Sequence, residues 1–322
     1  MTALTLAARD GNMEAAAALL AGGADVNHGT AGDGTSPILI AVMNGHFDLA
    51  MMLLERDADP RVASDAGNTP LFATINRQWI PRSRYPESTD HEQQLTTYRE
   101  LMEALLKAGA EVNARLKYNV WHLERGGSLQ GVDWIGATPF IRAAHGADVE
   151  AMKLLVQYGA DPTTPTLRPI QRREAELERG ALAAPEHDPS GLPPVPDEGP
   201  GIYPIHMATG YAHGYGFASN IHRHVGNGFL PAVRYLVELH SADVSARDHK
   251  GDTPLHHAAA RGDNELILYL VGKGADPTAV NRSGQTTVDM ANGPYQRTQP
   301  YPETIRLLES LGVKNNHNCV TC

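Results

Sequence analysis

The feature that most constrains the fold is the segment 248–280, which reads DHKGDTPLHHAAARGDNELILYLVGKGADPTAV and forms one complete unit. Thr253 and Pro254 predict a helix start, because threonine caps free backbone amides and proline holds a helical φ where no N–H donor is needed. A second helix follows, with leucine, isoleucine and valine at helical spacing, and it ends at Gly274. The next unit starts at Thr286, 33 residues after Thr253. The segment therefore predicts a repeat protein in which each pair of helices buries its apolar face against the next pair.

The same unit recurs along the whole chain, although at uneven spacing. Seven repeats are predicted near residues 2–27, 34–61, 67–115, 136–162, 201–247, 251–280 and 284–312. Repeats grow by stacking and need no central core, so a chain of 322 residues does not require several globular domains. We therefore expect a single solenoid over residues 1–312, interrupted by a proline-rich inserted loop at 163–202 and followed by a tail at 313–322.

Residues 253–258 spell T-P-L-H-H-A, and together with the 33-residue spacing they resemble the ankyrin repeat. The chain is similar to ankyrin-repeat proteins of bacterial type. The resemblance implies an all-α repeat fold, an ankyrin-repeat solenoid of about seven repeats with β-hairpin-like loops, a protein partner and no enzymatic activity. It also implies that the motif histidines, His206 and His256, tie each helix start to the hairpin by hydrogen bonds. Because the first repeat starts at Thr2 with no polar capping element before it, we expect an N-terminal segment to be missing.

Four long insertions all fall in repeats 3–5. They lie around residues 77–95 and 116–131, in the proline-rich loop, and ahead of the second helix of repeat 5. Every ordered residue costs about 1–2 kcal/mol of backbone entropy, so contacts with the scaffold or with a partner must offset that cost. We therefore predict that a partner binds the concave face and the inserted loops of repeats 3–5. The stretch 185–200 holds few apolar residues, and we expect it to be extended, mobile and dispensable for folding.

Aromatic residues mark the same region. All three tryptophans of the chain lie outside the predicted repeat helices, and several tyrosines accompany them in the insertions. Aromatic side chains are enriched in binding hot spots because they bury much area at little cost in rotamer freedom. The alternative is that these rings fasten the long loops to the scaffold. The residues that we predict to contact a partner are Trp79, Tyr85, Trp121, Trp134, Tyr211 and Tyr215.

Histidines and cysteines leave a metal or redox role open. The spacing His222-x-His224 places two imidazoles on one side of an extended segment, but no H-E-x-x-H and no carboxylate at ligand spacing accompanies them, so we assign no metal. A C-x-x-C pair ends the chain, and such a pair is a disulfide, half of a metal site or the start of a haem attachment motif. Haem attachment requires a histidine directly after the second cysteine, and the sequence stops there. We favour a local disulfide and no cofactor; the residues considered as metal ligands are His222, His224, His317, Cys319 and Cys322.

Composition excludes several classes of function. The net charge of −10 argues against a nucleic-acid-binding protein, and no apolar run is long enough for a transmembrane helix. The sequence contains no nucleophile elbow, no phosphate-binding loop and no dinucleotide fingerprint. The absence of cysteine from the repeat helices favours a periplasmic or secreted location over the cytoplasm.

We therefore predict a non-catalytic protein–protein interaction module or scaffold, as one subunit of a larger assembly. Two alternatives remain open. One is a redox or metal-binding protein that acts through the C-terminal cysteine pair. The other is an enzyme that uses the histidines of repeat 5.

Overall fold

The computed structural model describes residues 1–81, 89–120, 131–169, 188–213, 222–293 and 299–319. Within these ranges no β-strand occurs, and Leu167 and Pro200 form an isolated antiparallel bridge. The α-helices described are α1 (Ala3–Arg9), α2 (Met13–Ala21), α3 (Pro37–Asn44), α4 (Phe47–Leu54), α5 (Pro70–Gln78), α6 (Tyr98–Lys107), α7 (Pro139–His145), α8 (Val149–Gln157), α9 (Pro204–Ala208), α10 (Phe229–His240), α11 (Pro254–Ala260), α12 (Asn264–Gly272), α13 (Thr287–Asn292) and α14 (Pro302–Ser310), with a 3₁₀ turn at Asp90–Glu92. They form seven successive pairs, which confirms the all-α repeat fold and the predicted number of repeats.

The start of the first helix in a pair follows from its threonine and proline. The hydroxyl of Thr69 accepts the N–H of Phe72 at 3.2 Å, and the hydroxyl of Thr138 accepts the N–H of Ile141 at 3.2 Å. Each of these side chains satisfies one of the amides that a helix start leaves without an intrahelical partner. The sequence signal for the helix starts is therefore confirmed at these two repeats.

The end of the second helix depends on a residue with left-handed backbone. Gly274 has φ +98°, a conformation that glycine adopts without a steric penalty. In repeat 2 the same position is occupied by Asp57 with φ +66°. Aspartate is one of the few other residues that tolerate this region. The helix end predicted at Gly274 is confirmed, and Asp57 fills the equivalent position in repeat 2.

Backbone hydrogen bonds link the turns between successive repeats. At five places along the described chain, a backbone N–H of one turn donates to a carbonyl oxygen of the preceding turn at 2.8–3.1 Å. These bonds satisfy backbone groups that have no helix or strand partner. They correspond to the hairpin-like loops expected for the repeat. The donor and acceptor pairs are Asp65 and Asp33, Lys117 and Ala66, Leu167 and Ile135, His249 and Gly201, and Arg282 and Lys250.

The chain divides into two compact units. The first comprises Met1–Leu123, Gly136–Ala143 and Glu150–Asp161. Within it α1 packs on α3, α3 packs on α5, and α4 packs on α6. Its interior is built from aliphatic and phenyl side chains such as Phe47 and Leu71, which are fully buried.

The second unit comprises Glu124–Ile135, Ala144–Val149 and Pro162–Cys322. Here α9 packs on α11, α11 packs on α13, and α10 packs on α12. Leu255 and Leu270 are fully buried, as the repeat register predicts. The continuous solenoid over residues 1–312 stays a prediction. None of the helices in the described ranges combines the length and the apolar composition that crossing a membrane requires.

The proline-rich loop is hydrogen-bonded to the repeats. Arg282 donates to the carboxylate of Asp188 and, at 2.6 Å, to the carbonyl oxygen of Pro193. Arg168 donates in the same way to the carbonyl oxygen of Val195. Because proline has no N–H, a proline-rich segment has more acceptors than donors, and arginine side chains supply the missing donors. The described part of this loop, residues 188–200, is therefore attached to the repeats by arginine side chains, while its mobility and its dispensability for folding stay predictions.

Candidate functional site

The insertion of repeat 3 is held on helix α4 by one carboxylate. The two oxygens of Asp48 accept the backbone N–H groups of Leu95 at 3.0 Å and Thr96 at 2.7 Å, and the side chain of Gln94 accepts the N–H of Asp48 at 3.1 Å. Burial raises the pKa of Asp48, but these hydrogen bonds outweigh it and leave the pKa below its ordinary value. The carboxylate is thus ionised at neutral pH and fixes the end of the insertion.

A glycine allows the insertion to come this close. A Cβ atom at Gly45 would lie 2.9 Å from the backbone nitrogen of His91, and Gly45 has φ +88°. The imidazole of His91 is buried and meets the ring of Phe47 edge-on at 6.1 Å. Further along, the side chain of Leu95 is 92% exposed. The insertion is therefore both anchored to the repeats and able to present a large apolar side chain to solvent.

Trp79 lies where the insertion leaves helix α5. Its carbonyl oxygen accepts a hydrogen bond from the guanidinium of Arg142, whose Nε donates to Asn76 at 2.7 Å. Burial lowers the pKa of Arg142 to about 9, so the side chain is still protonated at neutral pH. The indole of Trp79 is half-buried and contacts the ring of Tyr98 edge-on at 6.4 Å. Trp79 is thus a partly exposed ring on a fixed backbone.

The loop after repeat 3 is also anchored at its start. The N–H of Leu116 donates to Ala137 at 3.0 Å, and Gly136 donates back to Leu116 at 2.7 Å. The neighbouring Tyr118 is 62% exposed. Trp121, which belongs to the same loop, lies outside the described residues, as do Tyr85 and Tyr215.

Two of the predicted contact residues are interior. Trp134 and Tyr211 are each 1% exposed. The indole of Trp134 meets the ring of His145 edge-on at 5.1 Å, and Tyr211 lies 4.9 Å from the ring of His257. In this structure neither side chain offers surface to a partner, because other aromatic rings cover it. Their position agrees with the alternative that inserted rings fasten the loops to the scaffold.

Histidines cluster in the second unit, but not as their spacing suggests. His222 lies 4.9 Å from the ring of His213 and 4.9 Å from the ring of His145, measured between ring centroids. His224, the other half of the spacing motif, instead packs on Phe229 at 4.3 Å. Burial, together with the neighbouring histidines and Arg261, holds the pKa of His213 well below its ordinary value. His145 was not predicted, because it ends a helix of regular length and has no histidine near it in sequence.

A second polar cluster joins Asp248, Asp252 and His257, whose potential ligand atoms lie within 4.8 Å of one another. One oxygen of Asp248 accepts the backbone N–H groups of Lys250 at 2.9 Å and Asp252 at 3.0 Å. Asp252 accepts from the side chain of Asn281 at 2.8 Å. These bonds shape the turns between repeats. They leave the other carboxylate oxygen of Asp248 buried without a hydrogen bond, 3.3 Å from Nε2 of His257.

The motif histidines act as the resemblance implies. Nδ1 of His256 accepts the N–H of Thr253 at 3.2 Å, and its Nε2 lies 3.3 Å from the carbonyl oxygen of Gln285 in the next turn. His206 makes the equivalent contact with the carbonyl oxygen of Ala246 at 3.1 Å. Both histidines are buried parts of the scaffold.

The C-terminal tail contributes one described cysteine. Cys319 is disulfide-bonded, while Cys322 lies outside the described residues, so the pairing of the two stays a prediction. His317 is exposed, and its backbone N–H donates to the side-chain oxygen of Asn315 at 3.2 Å.

Comparison with protein families identifies the repeat. A family model described as ankyrin repeats (3 copies) matches residues 1–80 and 218–293, and a second model, ankyrin repeat, matches residues 135–167. Together they cover more than half of the chain. The chain also resembles the crystal structure of the human ASB11 ankyrin repeat domain with a TM-score of 0.55, covering 96% of this chain and 98% of that one at 21% sequence identity.

Curated relatives match over shorter stretches. Human protein phosphatase 1 regulatory subunit 27 is 37% identical over 92 residues, which are 29% of this chain and 57% of that protein. Rat ankyrin repeat and SAM domain-containing protein 6 is 37% identical over 90 residues, 28% of this chain and 10% of that protein. The chain thus spans at most about three fifths of the length of these relatives. Both are mammalian, and the predicted bacterial type is not shown.

Proposed function

The chain belongs to the ankyrin-repeat proteins, and from that premise we propose that it is a non-catalytic module that binds a protein partner through the inserted loops of its middle repeats. A relative named as a regulatory subunit supports this role, because a regulatory subunit works by binding another protein. The names of these two relatives have no activity in common.

The observation that carries the proposal is the anchored insertion of repeat 3. Asp48 fixes its backbone at two consecutive amides, yet Leu95, one of the two residues so fixed, is almost fully exposed. An exposed leucine on an ordered loop loses little conformational freedom when it enters a pocket of a partner. Tyr118 repeats the arrangement on the loop after repeat 3, where the backbone is bonded and the ring is exposed.

Two substitutions test this interface without disturbing the interior. Leu95→Ser and Tyr118→Ala remove exposed side chains, so thermal stability should stay close to that of the wild type. Binding to a partner captured with the wild-type chain should weaken by at least about 1–2 kcal/mol per substitution, measured as a change in Kd, because large side chains at hot spots contribute this much.

Matched controls come from ordinary repeat helices. Leu268→Ser changes a leucine that is 53% exposed on α12, and Tyr158→Ala changes a partly exposed tyrosine after α8. Both controls should bind with wild-type affinity. The proposed interface is wrong if the loop variants bind as tightly as the controls. The interaction role is wrong if affinity purification with the wild-type chain enriches no protein over a chain in which the inserted loops of repeats 3–5 have a scrambled sequence.

A further inference from the structure

The described part of the proline-rich loop contains a short segment, residues 192–197, whose backbone is dictated by proline. The segment reads L-P-P-V-P-D, so each of residues 192–196 is a proline or directly precedes one. Proline holds φ near about −65°, and a residue before proline is kept out of the helical region. Neither a helix nor a turn is assigned to residues 192–196, and left-handed residues flank the segment, with Gly191 at φ +66° and Glu198 at φ +59°. These constraints indicate a polyproline II helix.

The exposure of the segment repeats at every third residue. Leu192 and Val195 are half-buried, while Pro193, Pro194 and Pro196 are exposed. A polyproline II helix has three residues per turn, so residues three apart lie on the same edge. One edge of the helix therefore faces the repeats, and the two edges that carry the proline rings face solvent.

The edge that faces the repeats is fastened by arginine side chains and by packing. Arg282 donates to the carbonyl oxygen of Pro193 at 2.6 Å, and Arg168 donates to the carbonyl oxygen of Val195. A Cβ atom at Gly251 would lie 3.2 Å from Cδ1 of Leu192, so this leucine packs directly on the turn of repeat 6. These contacts use backbone oxygens and the half-buried edge, and they leave the proline rings uncovered. A segment fastened in this way loses little conformational freedom when a partner binds it.

The composition of the exposed edges is unlike that of an ordinary connecting loop. Flexible linkers are rich in glycine and serine, which need no contact with the protein that they connect. Here three apolar pyrrolidine rings lie next to one another on the solvent side of a fastened segment. Contiguous apolar side chains that stay exposed mark sites of interaction with other proteins.

We propose that residues 192–198 are recognised by a protein domain that binds polyproline II helices. Such domains bind the spacing P-x-x-P in a groove lined by aromatic side chains. Pro193 and Pro196 have this spacing and lie on one exposed edge of the helix. The proposal rests on the interaction role proposed above, but it uses a different loop from Leu95 and Tyr118.

The charges next to the prolines specify the rim of the groove. Asp197 and Glu198 follow the last proline of the segment, and both are exposed. The guanidinium of Arg168 pairs only loosely with Asp197, at 3.9 Å, and the side chain of Asp197 is 57% exposed. A basic rim would attract the two carboxylates, and an acidic rim would repel them. The partner that fits is therefore a domain whose aromatic groove is flanked by lysine or arginine.

Titration of the full chain with purified domains tests the proposal. The probes are one SH3, one WW and one EVH1 domain with a basic rim, and a second domain of each kind with an acidic rim. At least one basic-rim domain should bind one site per chain, more tightly than its acidic-rim counterpart. Pro193→Ala combined with Pro196→Ala should weaken this binding at least about 10-fold, because truncation of a hot-spot residue has effects of this size. Asp197→Asn combined with Glu198→Gln should weaken it about 2-fold to 10-fold, because exposed charge pairs contribute little each.

Pro200→Ala is the matched control, because it removes an exposed proline of the same loop outside the segment and should bind like the wild type. All of these variants should keep the melting temperature of the wild type, since they change exposed side chains. If the double proline variant is unstable, the substitutions at Asp197 and Glu198 decide.

The same titrations separate this proposal from the interface at Leu95 and Tyr118. Leu95→Ser and Tyr118→Ala should leave binding of the domain unchanged. The proposal is overturned if none of the domains binds, if neither pair of substitutions weakens binding, or if Leu95→Ser weakens it as much as the proline substitutions do. A chain that binds none of the domains but captures a partner through Leu95 and Tyr118 would overturn this proposal and leave the proposed function standing.

Discussion

Replacing Arg282 by alanine should release residues 188–193 from the repeats. This guanidinium donates to the carboxylate of Asp188, to the carbonyl oxygen of Pro193 at 2.6 Å and, more weakly, to that of Leu192 at 3.4 Å. Its Nε donates to the carbonyl oxygen of His249 at 3.2 Å, which keeps the side chain oriented toward the loop. One side chain thus connects the proline-rich segment to the turns of repeats 6 and 7.

The magnitude follows from these contacts. A hydrogen bond from a charged donor contributes about 1.5–3 kcal/mol, and a partly exposed ion pair contributes about 0–1 kcal/mol. The side chains of Arg282 and Asp188 are 21% and 33% exposed, so screening by water applies to their pair. The loss should be about 2–4 kcal/mol against local opening of the segment, which is about a 30-fold to 1,000-fold increase in the open population.

Hydrogen exchange of peptides that cover residues 188–200 measures that population directly. Exchange there should accelerate in Arg282→Ala, while peptides from α11 and α12 keep wild-type rates and the melting temperature falls only slightly. Arg306→Ala is the control, because it removes an exposed arginine whose carboxylate partner among the described residues is Glu303, one turn away. Unchanged exchange at 188–200 would show that the loop is held by other contacts and that the reasoning from Arg282 is wrong.

Two further predictions concern the scaffold. Leu270→Ala should lower the free energy of unfolding in urea by about 2–5 kcal/mol because Leu270 is fully buried, while Leu268→Ala on the exposed face should change it by less than about 0.5 kcal/mol; equal losses would show that the repeat register is wrong. Burial lowers the pKa of His206 and of His257 to about 4, so as pH falls below about 6.5 the unfolded chain binds protons that the folded chain does not, and stability should fall by up to about 1.4 kcal/mol per pH unit per histidine down to about pH 4. Urea unfolding at pH 7, 6 and 5 measures this slope, and equal stability at all three values would contradict the burial of neutral imidazoles.

The scaffold could be predicted from sequence because its signals are local. Thr138 followed by Pro139 specifies a helix start within a few residues, and Gly274 specifies a helix end through its own backbone. Even the exception at Asp57 follows from a property of that residue alone. Residues adjacent in sequence explain these helix starts and ends, so a single sequence is enough to predict them.

The surroundings of the inserted rings could not be read in the same way. Trp134 lies in a stretch whose sequence indicates a loop. Its indole is nevertheless buried, and the ring of His145, eleven residues away in sequence, packs against it. The ring of His222 packs against the rings of His145 and His213, which are distant in sequence, although His224 is two residues away. These contacts depend on how the turn after α7 meets the insertion of repeat 5, and no periodicity in the sequence encodes that meeting.

The contacts of the insertions weaken the inference that their ordering entropy must be offset by a binding partner. Three of the four insertions contact a polar side chain of a regular repeat: Asp48 holds Leu95 and Thr96, Arg282 holds the proline-rich segment, and His145 packs on His213 and His222. Backbone hydrogen bonds between Leu116 and the turn at Gly136 and Ala137 hold the described start of the fourth. Contacts on the scaffold therefore offset much of the ordering entropy that a partner was expected to offset. Insertion length alone no longer argues for binding. Binding is instead indicated by large side chains that stay exposed on an ordered loop. Among the described residues of the first unit, these side chains are Leu95 and Tyr118.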